Sequence, residues 1–205
     1  MFRLLCLIIG YFFGCIQSAY FMGKLNKVDI SKQGSGNLGT TNTVRALGIK
    51  KGLITFFCDA FKSAIAFWVC SIIFKDNAIL AGFWGSAGAI LGHDFPFFHG
   101  FKGGKGIAAM LGMMLPMMPF PALFVYIIAI LVLLTGRVSV TSLTLSILIP
   151  LSLWLWHYPA EVVILTSCLA LLAFFQHRQN IVRLMNGTES RFDIIGKLKR
   201  KEKRQ

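Results

Sequence analysis

Ile107-Ala108-Ala109-Met110-Leu111-Gly112-Met113-Met114-Leu115-Pro116-Met117-Met118-Pro119-Phe120-Pro121-Ala122-Leu123-Phe124-Val125-Tyr126-Ile127-Ile128-Ala129-Ile130-Leu131-Val132-Leu133-Leu134-Thr135-Gly136 is almost wholly apolar and carries three prolines near its middle. As one helix it would rise about 45 Å, well beyond the roughly 30 Å of a bilayer's hydrocarbon core. Pro116, Pro119 and Pro121 would each remove a helical hydrogen bond and crowd the preceding turn. The stretch therefore reads as two short helices joined across Pro116–Pro121.

That reading sets the parity of the whole chain. The other apolar runs are Leu4–Met22, Leu53–Phe74, Ala78–Gly92, Val138–Trp156 and Ala160–Phe175, so splitting the stretch gives seven. Seven crossings put the termini on opposite sides. They also collect Lys24 to Lys51, His93 to Lys105, Arg137 and everything from Gln176 onward on one face. These segments hold 18 of the 21 Lys and Arg residues, and such asymmetry marks the cytoplasmic side. The expected fold is all-α: a polytopic membrane protein with seven transmembrane helices, its N-terminus outside and its C-terminus cytoplasmic. Residues 1–192 form the integral membrane domain and 193–205 a basic cytoplasmic tail against anionic headgroups.

Composition agrees. A chain of 205 residues that is 56% hydrophobic and 14% charged is not a soluble globule. Its net charge of +13 flanks apolar runs, so nucleic acid is not an expected partner. Cys6, Cys15, Cys58, Cys70 and Cys168 lie within apolar stretches with no metal-ligand spacing, and read as small core residues. Gln17, Ser18 and Tyr20 stand where a signal peptide would need small residues, so Leu4–Met22 is kept as a first membrane helix.

Three polar intervals carry chemistry. Gly34–Gly48 (GSGNLGTTNTVRALG) has glycines that let the backbone turn and aim N–H groups at a ligand. Asn37, Thr40, Thr41 and Asn42 add neutral donors and helix caps, and Arg45 shares a helical face with Thr41. Open N–H groups, a helix start and a cation suit phosphate. Gly92–Gly106 (GHDFPFFHGFKGGKG) supplies His93, Lys102, Gly103, Gly104 and Lys105. Its glycine spacing departs from a nucleotide-binding phosphate loop, but the same physics allows a backbone to approach an anion. Phe175–Glu189 looks like a helix leaving the membrane, with His177 and Asn180 directed at the bundle mouth, Gly187 as a C-terminal cap and Glu189 near an arginine. Within the second span Asp59 and Lys62 form an i, i+3 pair, either functional or mutually neutralising. Ser139, Thr141 and Ser142 open the sixth span beside Arg137.

These segments together resemble the bacterial acyl-phosphate:glycerol-3-phosphate acyltransferase family, PlsY. The likeness rests on GSGNLGTTNTVRALG, GHDFPFFHGFKGGKGIA and HRQNIVRLMNGTE, in that order, and extends to about Phe192. It implies a cytoplasm-facing active site in the bacterial inner membrane. There a fatty acyl group passes from acyl phosphate to the 1-hydroxyl of glycerol 3-phosphate, giving lysophosphatidate and phosphate for phospholipid synthesis. It implies catalytic roles for Ser35, Arg45, Ser142, His177 and Asn180, glycerol 3-phosphate binding by the second interval with Lys105 prominent, and a structural role for Glu189. Asn37, Thr41, Asn42, His93, Lys102, Gly103 and Gly104 complete the substrate-binding set. One position departs: the family often has Arg-His-Arg where this chain has Gln176-His177-Arg178. No cofactor and no metal are expected, and a monomer suffices. An organic-anion or phosphate transporter is the rival reading from another class, and a non-catalytic scaffold with a lipid-binding tail is a third.

Overall fold

Each apolar run folds as helix, and its boundaries follow the glycines, prolines and polar residues that interrupt it. The computed structural model describes residues 1–191; the basic run 193–205 lies outside the described residues. In chain order the helices are α1 (Phe2–Gly14), α2 (Ser18–Leu25), α3 (Thr40–Leu47), α4 (Ile49–Ile73), α5 (Ala78–Asp94), α6 (Ile107–Met113), α7 (Pro119–Leu133), α8 (Val138–Leu155), α9 (Ala160–Gln176) and α10 (Arg178–Met185). Among the described residues there is no strand.

The expected division of Ile107–Gly136 is present. α6 stops at Met113, and Pro119 and Pro121 fall in the first turn of α7, where a missing N–H costs nothing. α6 is nevertheless much shorter than a bilayer's hydrocarbon core. Its seven residues rise about 10 Å, and it is packed into the centre of the bundle. Met110, Met113, Met114 and Met118 are fully enclosed beside Phe67, Phe83, Val125 and Ile149. Unbranched, polarizable methionines fill such irregular space well. Among the described residues, three helical segments are long and apolar enough to cross a membrane: Phe2–Leu25 taken across its break, Ile49–Ile73 and Val138–Leu155. α9 and α10 make a fourth only as a pair bent by 57°.

The first run is not one continuous helix. It breaks at Cys15–Gln17, where Gln17 leaves the helical region at φ −90°, ψ 96°. Cys6, Cys15 and Cys70 are core residues as expected, but Cys58 and Cys168 face outward, as do Leu4, Phe12, Ile72, Ile130, Leu134 and Leu171. Those side chains form the apolar girdle a lipid phase requires.

α1 and α5 touch backbone to backbone. Each carries small residues four apart, Gly10 with Gly14 and Gly88 with Gly92, the spacing that lets helices approach closely in lipid. A Cβ on Gly10 would lie 1.8 Å from the Gly85 carbonyl oxygen, and one on Gly88 would lie 2.1 Å from that of Leu7. The contact aligns the break after α1 with the end of α5. Away from that junction, the start of α1 is tied to α5 and α9: Arg3 pairs with Glu161 at 2.6 Å, and Trp84 Nε1 donates to the same carboxylate at 2.6 Å. Gly88→Val should therefore lower the unfolding free energy in micelles by about 3 kcal/mol through overpacking. Unchanged thermal unfolding would show that the helices do not meet at this distance.

Candidate active site

The floor of the site is a buried polar cluster at the α1–α2 break. An interrupted helix leaves carbonyls without partners, and here Gly14 and Ile16 present theirs to the protein interior. Lys62 Nζ donates to both, at 3.0 and 2.9 Å, and lies 2.9 Å from Asp59 Oδ1 and 2.9 Å from His93 Nδ1. Ser18 Oγ donates to the same Asp59 oxygen at 3.0 Å. Gln17 Nε2 donates to the His93 carbonyl at 3.2 Å. Asp59 and Lys62 are thus the neutralising pair, with His93 as a third member. The signal for this cluster in the chain is the polar pair Gln17-Ser18 inside an apolar run, which lies one helix away from the ions it serves.

The first two polar intervals lie over this floor and are fastened to each other. Asn37 Nδ2 donates to the Gly103 carbonyl at 2.9 Å, and the Leu38 N–H reaches the same oxygen at 3.4 Å. Asn42 is 2% exposed and uses both ends of its amide within the loop: it donates to the carbonyls of Ile30 and Gln33 and accepts from the Ser35 N–H at 3.0 Å. The cap of α3 is Gly39, with no side-chain bond, so Asn37 and Asn42 are not helix caps. Thr41 and Arg45 do share a face of α3. Ser35 and Arg45 are exposed, and Arg45 donates to Ser190 Oγ.

The glycines differ from expectation in their use. The N–H groups of Gly103 and Gly104 donate to the carbonyls of Asp94 and His93 at 3.1 and 2.9 Å, and that of Gly36 to Gln33 at 2.8 Å. They are not free for an anion. Sterics explains their presence: a Cβ on Gly103 would sit 2.0 Å from the His93 carbonyl, and one on Gly104 would sit 1.9 Å from His93 Nε2. Only glycine lets the turn rest directly on the end of α5.

The third interval closes the site from the other side. α9 bends at His177, whose Nδ1 lies 2.8 Å from the Ala173 carbonyl. A carbonyl only accepts, so Nδ1 carries the proton and Nε2 is bare. Asn180 Oδ1 accepts from Lys105, while Asn180 Nδ2 donates to Glu189 at 2.7 Å. Glu189 also pairs with Arg183 at 2.7 Å, and Gly187 in the left-handed region (φ 69°) turns the chain back to permit this. Ser142 Oγ donates to the Val138 carbonyl at 3.0 Å, keeping its lone pairs. The structure thus joins Asn37 to Gly103, Lys105 to Asn180 and Asn180 to Glu189 through direct contacts, while Asn42 bonds only within its own loop. Lys102 stands exposed, and among the described residues no hydrogen bond or ion pair ties its side chain to the rest.

This chain matches the protein family described as glycerol-3-phosphate acyltransferase over residues 4–187. It is 38% identical to the glycerol-3-phosphate acyltransferase of Aquifex aeolicus, with 92% of this chain and 98% of that protein aligned. Against the protein of the same name from Shouchella clausii it is again 38% identical, over 90% of this chain and 93% of the relative. A crystal structure of PlsY (YgiH), an integral membrane glycerol 3-phosphate acyltransferase in its glycerol 3-phosphate form, superposes with a TM-score of 0.87 at 36% identity, covering 96% of this chain and 98% of that one. Its lysophosphatidic acid form gives a TM-score of 0.83 at 37% identity, covering 93% and 95%. The chain belongs to the glycerol-3-phosphate acyltransferase family. It is an all-helical integral membrane protein of that kind.

In this acyltransferase the charge around Lys105 is unbalanced. Arg45, Arg178 and Arg183 all bear on it, with Glu189 the nearby carboxylate. Burial, reinforced by Arg183, brings the Lys105 ammonium down to about 8. Burial also lowers His177 to about 4, so its imidazole is neutral at any working pH. Burial opposes ionisation of Glu189, but hydrogen bonds from Asn180 and Arg183 outweigh it and hold the carboxyl below its ordinary range. The network leaves cations looking for an anion rather than for one another. Asn42 is the scaffold's most connected side chain in the first interval. Asn42→Ala should cost about 3 kcal/mol, three hydrogen bonds at roughly 1 kcal/mol each, and should open the loop to limited proteolysis at Lys32. A loop as resistant as before would mean that Asn42 does not hold it.

Proposed function

We propose that the chain is a membrane acyltransferase that moves a fatty acyl group from acyl phosphate to the 1-hydroxyl of glycerol 3-phosphate, releasing lysophosphatidate and inorganic phosphate. The observation that carries this is the convergence of three distant polar intervals on one end of the bundle, joined by Asn37 to Gly103 and by Lys105 to Asn180. Both proposed substrates are phosphorylated, and a cluster of Arg45, Lys105, Arg178 and Arg183 with little local compensation suits two such anions. Relatives named for glycerol 3-phosphate acylation support the acceptor. No observation favours transport or a scaffold role.

The chemistry follows from the groups present. Acyl phosphate is a mixed anhydride with a good leaving group. The glycerol hydroxyl oxygen attacks the acyl carbon, the carbon–oxygen bond to phosphate breaks, and phosphate departs with the electron pair. Arg45 and Lys105 hold the phosphates and offset the developing charge. Asn180 fixes Lys105. His177, with Nε2 bare and its pKa near 4, is a weak base, so it orients the hydroxyl by accepting its hydrogen bond. The proton passes to a phosphate oxygen, whose pKa near 6 suits it better. Ser35 and Ser142 act as polar contacts to substrate rather than as acyl carriers. Thr41, His93, Lys102, Gly103 and Gly104 line or shape the phosphate sites, and Glu189 supports them from behind.

The same reading takes the chain through the bacterial inner membrane seven times, with the N-terminus outside, the polar end cytoplasmic and residues 193–205 as a basic cytoplasmic tail. Support comes from the charge asymmetry and from Tyr158, between α8 and α9, whose hydroxyl donates to the Met117 carbonyl at 3.2 Å. The α6–α7 turn therefore reaches the end of the bundle opposite Ser139.

Purified protein given palmitoyl phosphate and glycerol 3-phosphate, with no coenzyme A, should form lysophosphatidate. Absence of product under these conditions would end the proposal. Lys105 supplies a second expectation. It is protonated below about pH 8 in the free protein, so kcat/KM for glycerol 3-phosphate should fall above that pH. Lys105→Arg, which stays charged, should move the alkaline limb upward; a limb that stays in place would assign it to another group.

A further inference from the structure

The sequence singles out Lys62 without giving it work in the reaction, and its surroundings define what it does. Its side chain is 6% exposed and faces four acceptors: the carbonyls of Gly14 and Ile16, Asp59 Oδ1 and His93 Nδ1, all within 3.0 Å. A neutral amine would have two N–H groups for three oxygens and would turn its lone pair on one of the remaining acceptors. An ammonium has three N–H groups, one of them shared between two of these four neighbours, and no lone pair, so no atom this close can donate to it. His93 Nδ1 is consequently bare. The 3.5 Å from Nδ1 to Asp59 Oδ1 is too long for a good hydrogen bond in the other sense. The proton of the neutral ring must reside on Nε2.

That nitrogen lies directly beneath the Gly103–Gly104 turn, where a Cβ on Gly104 would come within 1.9 Å of it. His93 is 3% exposed, and among the described residues no protein group accepts from Nε2. We propose that Lys62 is a positioning residue: it holds His93 as the Nε2–H tautomer, so that the ring donates from under the glycine turn to a substrate phosphate oxygen. The proposal rests on the acyltransferase reading above. It gives this site two histidines with opposite Nε2 states, His93 donating and His177 accepting.

The tautomer is measurable in the unaltered protein. The chain has four histidines, so nitrogen-15 spectra of histidine-labelled protein in micelles are simple, and His93 is assigned by the signal lost in His93→Gln. The expected pattern is a neutral ring with its proton on Nε2; a proton on Nδ1, or an imidazolium, overturns the proposal. Lys62→Met should raise KM for glycerol 3-phosphate about tenfold, the worth of one hydrogen bond to a charged group, with kcat little changed. In a His93→Gln background, whose side-chain amide carries its own N–H, the same change should alter KM less than about twofold. Equal rises in both backgrounds would make Lys62 merely structural and would also overturn the idea. If Lys62→Met fails to fold, the spectrum of the unaltered protein still decides. A protein that shows the tautomer but transfers no acyl group would count against the reaction, not against the lysine–histidine contact.

Discussion

A charged lysine buried in a membrane bundle is the constraint around which this structure is arranged. Taking an ammonium out of water costs several kcal/mol even after relaxation, and Lys62 is tolerated only because four acceptors surround it. Two of these exist because α1 stops at Gly14 before α2 begins at Ser18. In a continuous helix the carbonyls of Gly14 and Ile16 would be occupied. The break and the lysine are therefore solutions to each other. Together they draw α4, the α1–α2 junction and the end of α5 onto one point, and the polar loops rest on that point.

Above the floor, the electrostatics run the other way. Below, each charge is matched; at the mouth, Arg45, Lys105, Arg178 and Arg183 meet Glu189. Under the proposed reaction, an incoming dianion would relieve that repulsion, and its binding would then help to order the site as well as hold substrate. Asn180 sits where the two regimes meet, with its oxygen toward Lys105 and its nitrogen toward Glu189. Its amide keeps lysine and glutamate from neutralising each other directly. A carboxylate at that position would discharge Lys105 before any substrate arrived.

Much of this was legible in the sequence, and the parts that were not share a cause. The proline cluster foretold the division at Met114–Met118, and the charge asymmetry foretold that the polar intervals gather at one end. Glu189 was expected near an arginine, and Arg183 is its partner. By contrast, the break after α1 has only a weak local mark: proline is absent, and the polar pair Gln17-Ser18 sits in an otherwise apolar run. The break is stabilised by Lys62, forty-five positions away along the chain. α6 could not be read as an enclosed core helix because buried and lipid-facing apolar residues look alike in a chain where both are apolar. Asn42 looked like a ligand donor because polar loop residues in a membrane protein usually face water or substrate. Only the fold reveals that its amide is used up by Ile30, Gln33 and Ser35.

The glycines make the same point chemically. A glycine-rich basic loop suggests an anion nest of backbone N–H groups, but that inference needs the N–H groups to be unoccupied. Those of Gly103 and Gly104 cap the last turn of α5 through the carbonyls of Asp94 and His93. The residues are small because His93 lies against them, and the turn brings Lys105 to the mouth instead of offering its own amides. Under the proposed reaction, anion recognition would fall to side chains, Arg45 and Lys105 first. Side-chain cations on rigid supports respond to pH and to neighbouring charge, whereas backbone dipoles do not. The affinity of such a site is set by how completely the bundle fixes those cations, and the packing of α1 on α5 and of the second loop on the first provides that fixation.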